Sequence, residues 1–173
     1  MPIPWNIFEN QTKTYLSGYQ AKSEKDLAKF LSDKYDSYIK TGKTQYQNGI
    51  VSANKSLLEN YIYIALLDAR RGKPLDDVSK KIALGVVLYW TTVKMQIMVP
   101  PPGAVSVVTN VVTYPGTPIK FPIKNTKDPS VLAKNLIFCF KIHANSITGI
   151  NTALVPIPGG GTIPTPFPWI GIK

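Results

Sequence analysis

The chain has 173 residues, 44% of them apolar, which suits one domain with its own core and excludes disorder throughout. Its formal net charge is +10, from 20 Lys and Arg against 10 Asp and Glu, but the cations are dispersed and mostly lysine, the pattern of solvated surface charge. A lone cysteine, Cys139, excludes an internal disulfide and a Cys-based zinc cluster.

The start MPIPWNIFENQ lacks the basic and apolar regions of a signal peptide, so action or assembly in a cytosol is expected. Pro2 and Pro4 predict an extended entry, with a short helix from about Asn6. Trp5 and Phe8 stand there as apolar anchors, for docking onto this chain or a neighbour. Ser23-Glu24-Lys25-Asp26 reads as a capping box. The helix it opens carries Leu27, Phe30, Leu31, Tyr35, Tyr38 and Ile39 on one apolar stripe, with Gly42 as its stop.

A second long helix is predicted from Ile50 to Arg71, closed by the turn Gly72-Lys73-Pro74. A third begins at Leu75, with Asp76 and Asp77 at the positive end of its dipole, and runs to Met98 or Val99. From Ile82 onward it is apolar nearly all round, so it must be wrapped by helices, by partner chains or by lipid. The run Ile82–Val99 approaches the ~20 apolar residues that span a bilayer. Lys94 opposes a span, because a charge inside it costs about 2.5–3.5 kcal/mol on insertion. Thr91, Thr92 and Gln96 add polarity, and Trp90 sits mid-run. Burial by protein is favoured over lipid.

Pro100-Pro101-Pro102-Gly103 ends the run. Ala104–Val108 and Val111–Tyr114 then read as a β-hairpin turning at Thr109-Asn110. Ile119–Ile123, with Pro122, suits an edge strand or polyproline II. Asp128-Pro129 predicts a helix start, and Leu132, Leu136, Cys139, His143 and Ile147 lie along one helical line that fades near Ala153. The tail from Pro156 alternates prolines with Ile163, Phe167, Trp169, Ile170 and Ile172 behind a Gly159-Gly160-Gly161 hinge. It is too short to bury itself and is expected to dock against something.

Chemistry-bearing patterns are sparse. Cys139 and His143 share a helical face, but a metal site needs more N or S ligands and the chain has one His and one Cys. A core cysteine beside a hydrogen-bonded histidine is the simpler reading. Asp76-Asp77 and Asp33 with Asp36 are explained by capping and solvation. The triple glycine lacks the Lys-Ser/Thr of a phosphate loop. Tyr35 and Tyr38 among lysines are compatible with nucleic-acid contact, yet their stripe assigns them to packing. No catalytic residue, cofactor or metal is therefore expected, and the chain is not expected to be an enzyme.

The order of features over residues 82–173 is an apolar helix with Tyr89-Trp90, then Pro-Pro-Pro-Gly-Ala-Val, a Val/Thr-rich stretch ending Tyr-Pro-Gly-Thr-Pro, a helix carrying Phe-x-x-His, and a tail ending Pro-Trp-Ile-Gly-Ile. It resembles small structural virion proteins of tailed bacteriophages, especially contractile-tailed ones. The resemblance implies a structural role in a tail, baseplate or neck. It implies a chain made in the host cytoplasm and built into a virion, with other virion subunits and copies of itself as partners. It offers no catalytic residue to carry over.

The expected fold is mainly α: an antiparallel bundle of about four helices with a Pro-rich β-hairpin or extended insertion and an extended C-terminal arm. The expected divisions are a helical region 1–99, a hairpin and linker 100–128, a packing helix 129–155 and a docking tail 156–173. Function is expected to lie in protein–protein assembly, with Trp5, Phe8, Trp90, Phe167, Trp169 and Ile170 as interface residues. Deleting residues 164–173 would then block assembly and leave the helices folded. The alternatives are a membrane-active lysis or pore protein using the 82–99 helix and a small basic nucleic-acid-binding protein.

Overall fold

A computed structural model describes residues 2–18, 23–96, 100–113 and 127–173. In chain order these form α1 (Trp5–Ser17), α2 (Glu24–Ile39), β1 (Gly49–Ser52), α3 (Lys55–Arg70), α4 (Leu75–Thr91), β2 (Lys94–Gln96), β3 (Ser106–Thr113), α5 (Pro129–Ser146), β4 (Thr148–Pro156) and β5 (Thr162–Ile170). The fold is helical with two small antiparallel sheets, ordered β1-β2 and β3-β4-β5, and is mixed rather than a purely helical bundle.

Two helix starts form as their sequences dictate. Ser23 Oγ accepts from the Asp26 N–H while Asp26 accepts from the Ser23 N–H, a complete capping box for α2. Asp128 accepts from the Ser130 N–H ahead of Pro129, giving α5 a side-chain cap and a preset φ.

Four expectations are corrected. Residues 50–52 are a strand, not the start of a helix: Ile50 pairs with Met95 and Ser52 with Lys94. The apolar helix stops at Thr91, where the Thr92 hydroxyl donates to the Tyr89 carbonyl and accepts from the Asn54 N–H. The β1–β2 pair thus clips together the open end of the α3–α4 hairpin, and Lys94–Gln96 of the run is strand. Residues 106–113 form one continuous strand on β4 and do not turn at Thr109-Asn110, because a nonlocal register with Thr148–Leu154 outweighs the local turn preference. Residues 148–156 are strand rather than helix, so the bundle loses its expected final turns.

The C-terminal arm is also corrected. Residues 162–170 pair in full register with β4, from Thr162 opposite Pro156 to Ile170 opposite Thr148. Gly159, Gly160 and Gly161, with φ of 93°, 94° and 95°, make the tight loop of this hairpin. The expected extended segment 119–123 and the ends of the apolar run at Met98 and Val99 lie outside the described residues.

An aromatic spine joins the helices. Phe8 of α1 stacks near Tyr38 of α2 and Phe140 of α5, at ring separations of 5.2 and 6.0 Å, and Tyr35 lies 4.7 Å from Phe140. Tyr35 then meets Tyr89 of α4 edge-on at 5.4 Å. A polar chain runs beside the spine. Trp90 Nε1 donates to Tyr35 Oη at 2.8 Å, Tyr89 Oη donates to Asp36 Oδ1 at 2.9 Å, and Lys40 pairs with Asp36 at 2.6 Å. These bonds satisfy buried groups that would otherwise carry an unpaired desolvation cost of about 1–3 kcal/mol each. They also lock α4 to α2.

The C-terminal residues complete this body. Trp169 is 1% exposed and packs against Gly149, where a Cβ would stand 2.2 Å from its ring. Ile172 is wholly buried against Gly42 and Ile3. The Gly171 and Ile172 N–H groups donate to the Ile147 and Ala144 carbonyls at the end of α5, and Lys173 exchanges two backbone bonds with Lys43. Deleting residues 164–173 would therefore strip the core, which corrects the expectation that the helices would stay folded without them.

Candidate functional site

The strongest surface feature is built by β3, β4 and β5. Successive residues of a strand face opposite sides of a sheet. In β4, Gly149, Asn151 and Ala153 are buried and face the helical body. Asn151 Oδ1 accepts from Asn48 Nδ2 at 3.1 Å, which fastens the sheet to the loop before β1. The opposite face carries Ile150 at 44% exposure, paired across with Val111 at 58% on β3 and with Pro168 on β5. Ile170, 66% exposed, lies opposite Thr148 on the same side.

No Lys, Arg, Asp or Glu occurs in any of the three strands, and none occurs between Lys141 and Lys173. In a chain of net charge +10, this exposed face is uncharged, with Thr148 and Thr152 set among its apolar residues. Pro164, Pro166 and Pro168 oppose Leu154, Thr152 and Ile150. A residue without an N–H cannot exchange bonds with a neighbour, so these are the non-hydrogen-bonded pairs and the proline carbonyls point outward along the edge. The Pro168 carbonyl accepts there from Gln45 Nε2 at 3.2 Å and from Tyr46 Oη at 3.4 Å. The β5 edge thus offers no row of donors to another strand.

The six residues expected at an interface are divided by the fold. Phe8, Trp90 and Trp169 are buried at 0%, 1% and 1% exposure, so their rings serve this chain's own core and are removed from its surface. Trp5 is half-buried at the start of α1 and packs against that core. Phe167 is half-buried, edge-on to Tyr46 at 6.3 Å. Only Ile170 is fully on the outer face. Val111, Ile150 and the proline row were missed, although the alternation Gly149–Ala153 is the period of a half-buried strand.

Elsewhere the described residues offer little chemistry. No three His, Cys, Asp or Glu side chains among them come together. Burial pushes the Cys139 thiol up to about 11, away from the reactive thiolate, and His143 one turn on is wholly buried. Burial, and then the Asp36 carboxylate, holds the Tyr89 hydroxyl protonated well above its ordinary range. A shallow groove of about 420 Å³ lies over the stacked Tyr15–Phe30 pair, beside Asn10, Gln11, Thr14 and Lys34. Among the described residues, no helix is long and apolar enough to cross a membrane.

The chain matches no known family. No protein-family model, curated protein or solved structure is similar to it. The site must be read from its own geometry.

Proposed function

We propose that this chain is a structural subunit of a phage particle, in a tail, baseplate or neck, working through protein contacts without catalysis. The observation that supports this reading is the uncharged outer face of the β3-β4-β5 sheet, with Val111, Ile150 and Ile170 exposed at 58%, 44% and 66%. Exposed apolar side chains gathered on one uncharged face are a feature of interaction sites. The face is carried on a scaffold held by the buried Trp169 and the Asn48–Asn151 bond, so it is presented rigidly.

The test is mass and stoichiometry of intact particles assembled in the cells that make the chain. The reading expects the native chain in the particle at a fixed copy number, and an Ile150→Lys chain left in the free pool. A native chain absent from purified particles, or an Ile150→Lys chain incorporated at the native copy number, would refute it.

A further inference from the structure

We infer that a water molecule is built into the join between the sheet and the helical body, held by Asn48, Asn151 and Trp169. Such a site belongs to the inner face of the sheet and is independent of what meets the outer one.

Three polar side-chain atoms at this join are buried and have no hydrogen-bond partner among the described residues: Asn48 Oδ1, Asn151 Nδ2 and Trp169 Nε1. Their residues are 0%, 0% and 1% exposed, so bulk solvent does not reach them. Polar groups this deeply buried are nearly always bonded to protein or to ordered water. Asn48 and Asn151 already share one bond, from Nδ2 to Oδ1. The second polar atom of each amide sits on the same carbon as the bonded one, so the leftover donor and acceptor flank that bond. Turning both amides over exchanges their roles and still leaves one donor and one acceptor.

Trp169 brings the third group. Asn151 lies opposite Phe167 and Gly149 opposite Trp169, which makes Trp169 a diagonal neighbour of Asn151 on the inner face. Diagonal pairs stand about 7–8 Å apart, within reach of an aromatic side chain. The ring carbon that bears Nε1 lies 2.4 Å from the point where a Gly149 Cβ would stand. The indole therefore crosses onto β4 at the inward residue preceding Asn151.

The bonding groups select the ligand. Asn151 Nδ2 and Trp169 Nε1 are donors, and Asn48 Oδ1 is an acceptor. A cation would meet one oxygen and be opposed by two N–H groups. An anion would be opposed by the oxygen. A water accepts from both N–H groups and donates to Asn48, making the three bonds usual for a buried water. It also brings no charge into a sheet that carries none. Those bonds would tie β4, β5 and the loop before β1 at one point.

A high-resolution crystal structure of the full chain tests this. It should show one water within about 2.7–3.2 Å of all three atoms. Density that puts Nε1 on a protein acceptor, joins the two amides by both of their atoms, or holds no water among the three groups overturns the inference. In solution, oxygen-17 relaxation dispersion counts long-lived waters without interference from exchanging hydroxyl protons. An Asn151→Leu chain that circular dichroism shows to be folded should hold one fewer than the native chain. A folded Asn151→Leu chain with the native number also overturns the inference. Should that variant fail to fold, the crystal structure of the native chain decides by itself.

Discussion

The helical body and the three-stranded sheet meet water by different rules. Most of the body's apolar residues turn inward, with Ile7 and Phe138 among the exceptions, and its surface carries ion pairs such as Lys29–Asp33, Arg70–Glu24 and Lys80–Asp76. Nine of the ten acidic residues precede Pro100. The sheet has no charged residue, and one of its faces is nevertheless exposed. The sheet is covered on one face by the body and left open to solvent on the other, with Val111, Ile150 and Ile170 exposed there. A single strand shows both: Trp169 is 1% exposed and its neighbour Ile170 is 66% exposed.

The comparison breaks first at the C-terminus. Deleting residues 164–173 removes the buried Trp169 and Ile172 together with β5. Truncating such side chains costs about 2–5 kcal/mol each, against a total stability of about 5–15 kcal/mol for a domain. Circular dichroism and denaturant titration should show loss of cooperative unfolding, helices included. A truncated chain that melts as a cooperative helical unit would separate the body from the sheet.

Gly149→Ala probes the join. Its Cβ would stand 2.6 Å from the Val111 carbonyl as well as against the Trp169 ring, and backbone cannot yield cheaply. The expected loss is about 1–3 kcal/mol, read by chemical denaturation, with Trp169 fluorescence shifting toward that of a solvated indole. Tyr89→Phe acts inside the body alone. It removes the 2.9 Å donor to Asp36 while Lys40 keeps its pair, for a loss of about 1–2 kcal/mol and unchanged Trp169 fluorescence.

The smallest effect belongs to the body's surface charges. The hydrogen bond from Lys55, with Lys29 adding, holds the Asp33 carboxyl below its ordinary value of 3.8. A depressed folded value means that the unfolded chain binds the proton first. The stabilisation is therefore fully present above the ordinary range and is lost as pH falls through the folded value. Thermal melts should show Asp33→Asn costing at most about 1 kcal/mol at neutral pH, and that difference should shrink as pH falls through the folded value.

Legibility followed the range of the forces. The Ser23 box, the Asp128-Pro129 start and the α2 stripe are local, and all three were readable. The β4 strand was hidden because Ile147 continues the helical line of Cys139 and His143, while Thr148, Gly149 and Asn151 argue for strand only once a partner is known. Prolines at every second position made β5 resemble a free arm. On an edge they are tolerated, and the register with Thr148–Pro156 that decides it is set by pairing between separate segments. The aromatics were expected as anchors into neighbouring subunits, and the burial of three of them is within this chain. Composition could not say that Phe8, Trp90 and Trp169 anchor this chain to itself, while Ile170 and the unremarked Ile150 and Val111 face outward.

The two faces of β5 are compared most directly by equilibrium denaturation of Trp169→Ala and Ile170→Ala measured side by side. The inner residue should cost about 3–5 kcal/mol and the outer one less than about 0.5 kcal/mol. Similar losses for the two, or a larger loss at Ile170, would contradict a sheet whose inner face closes the core and whose outer face lies outside it.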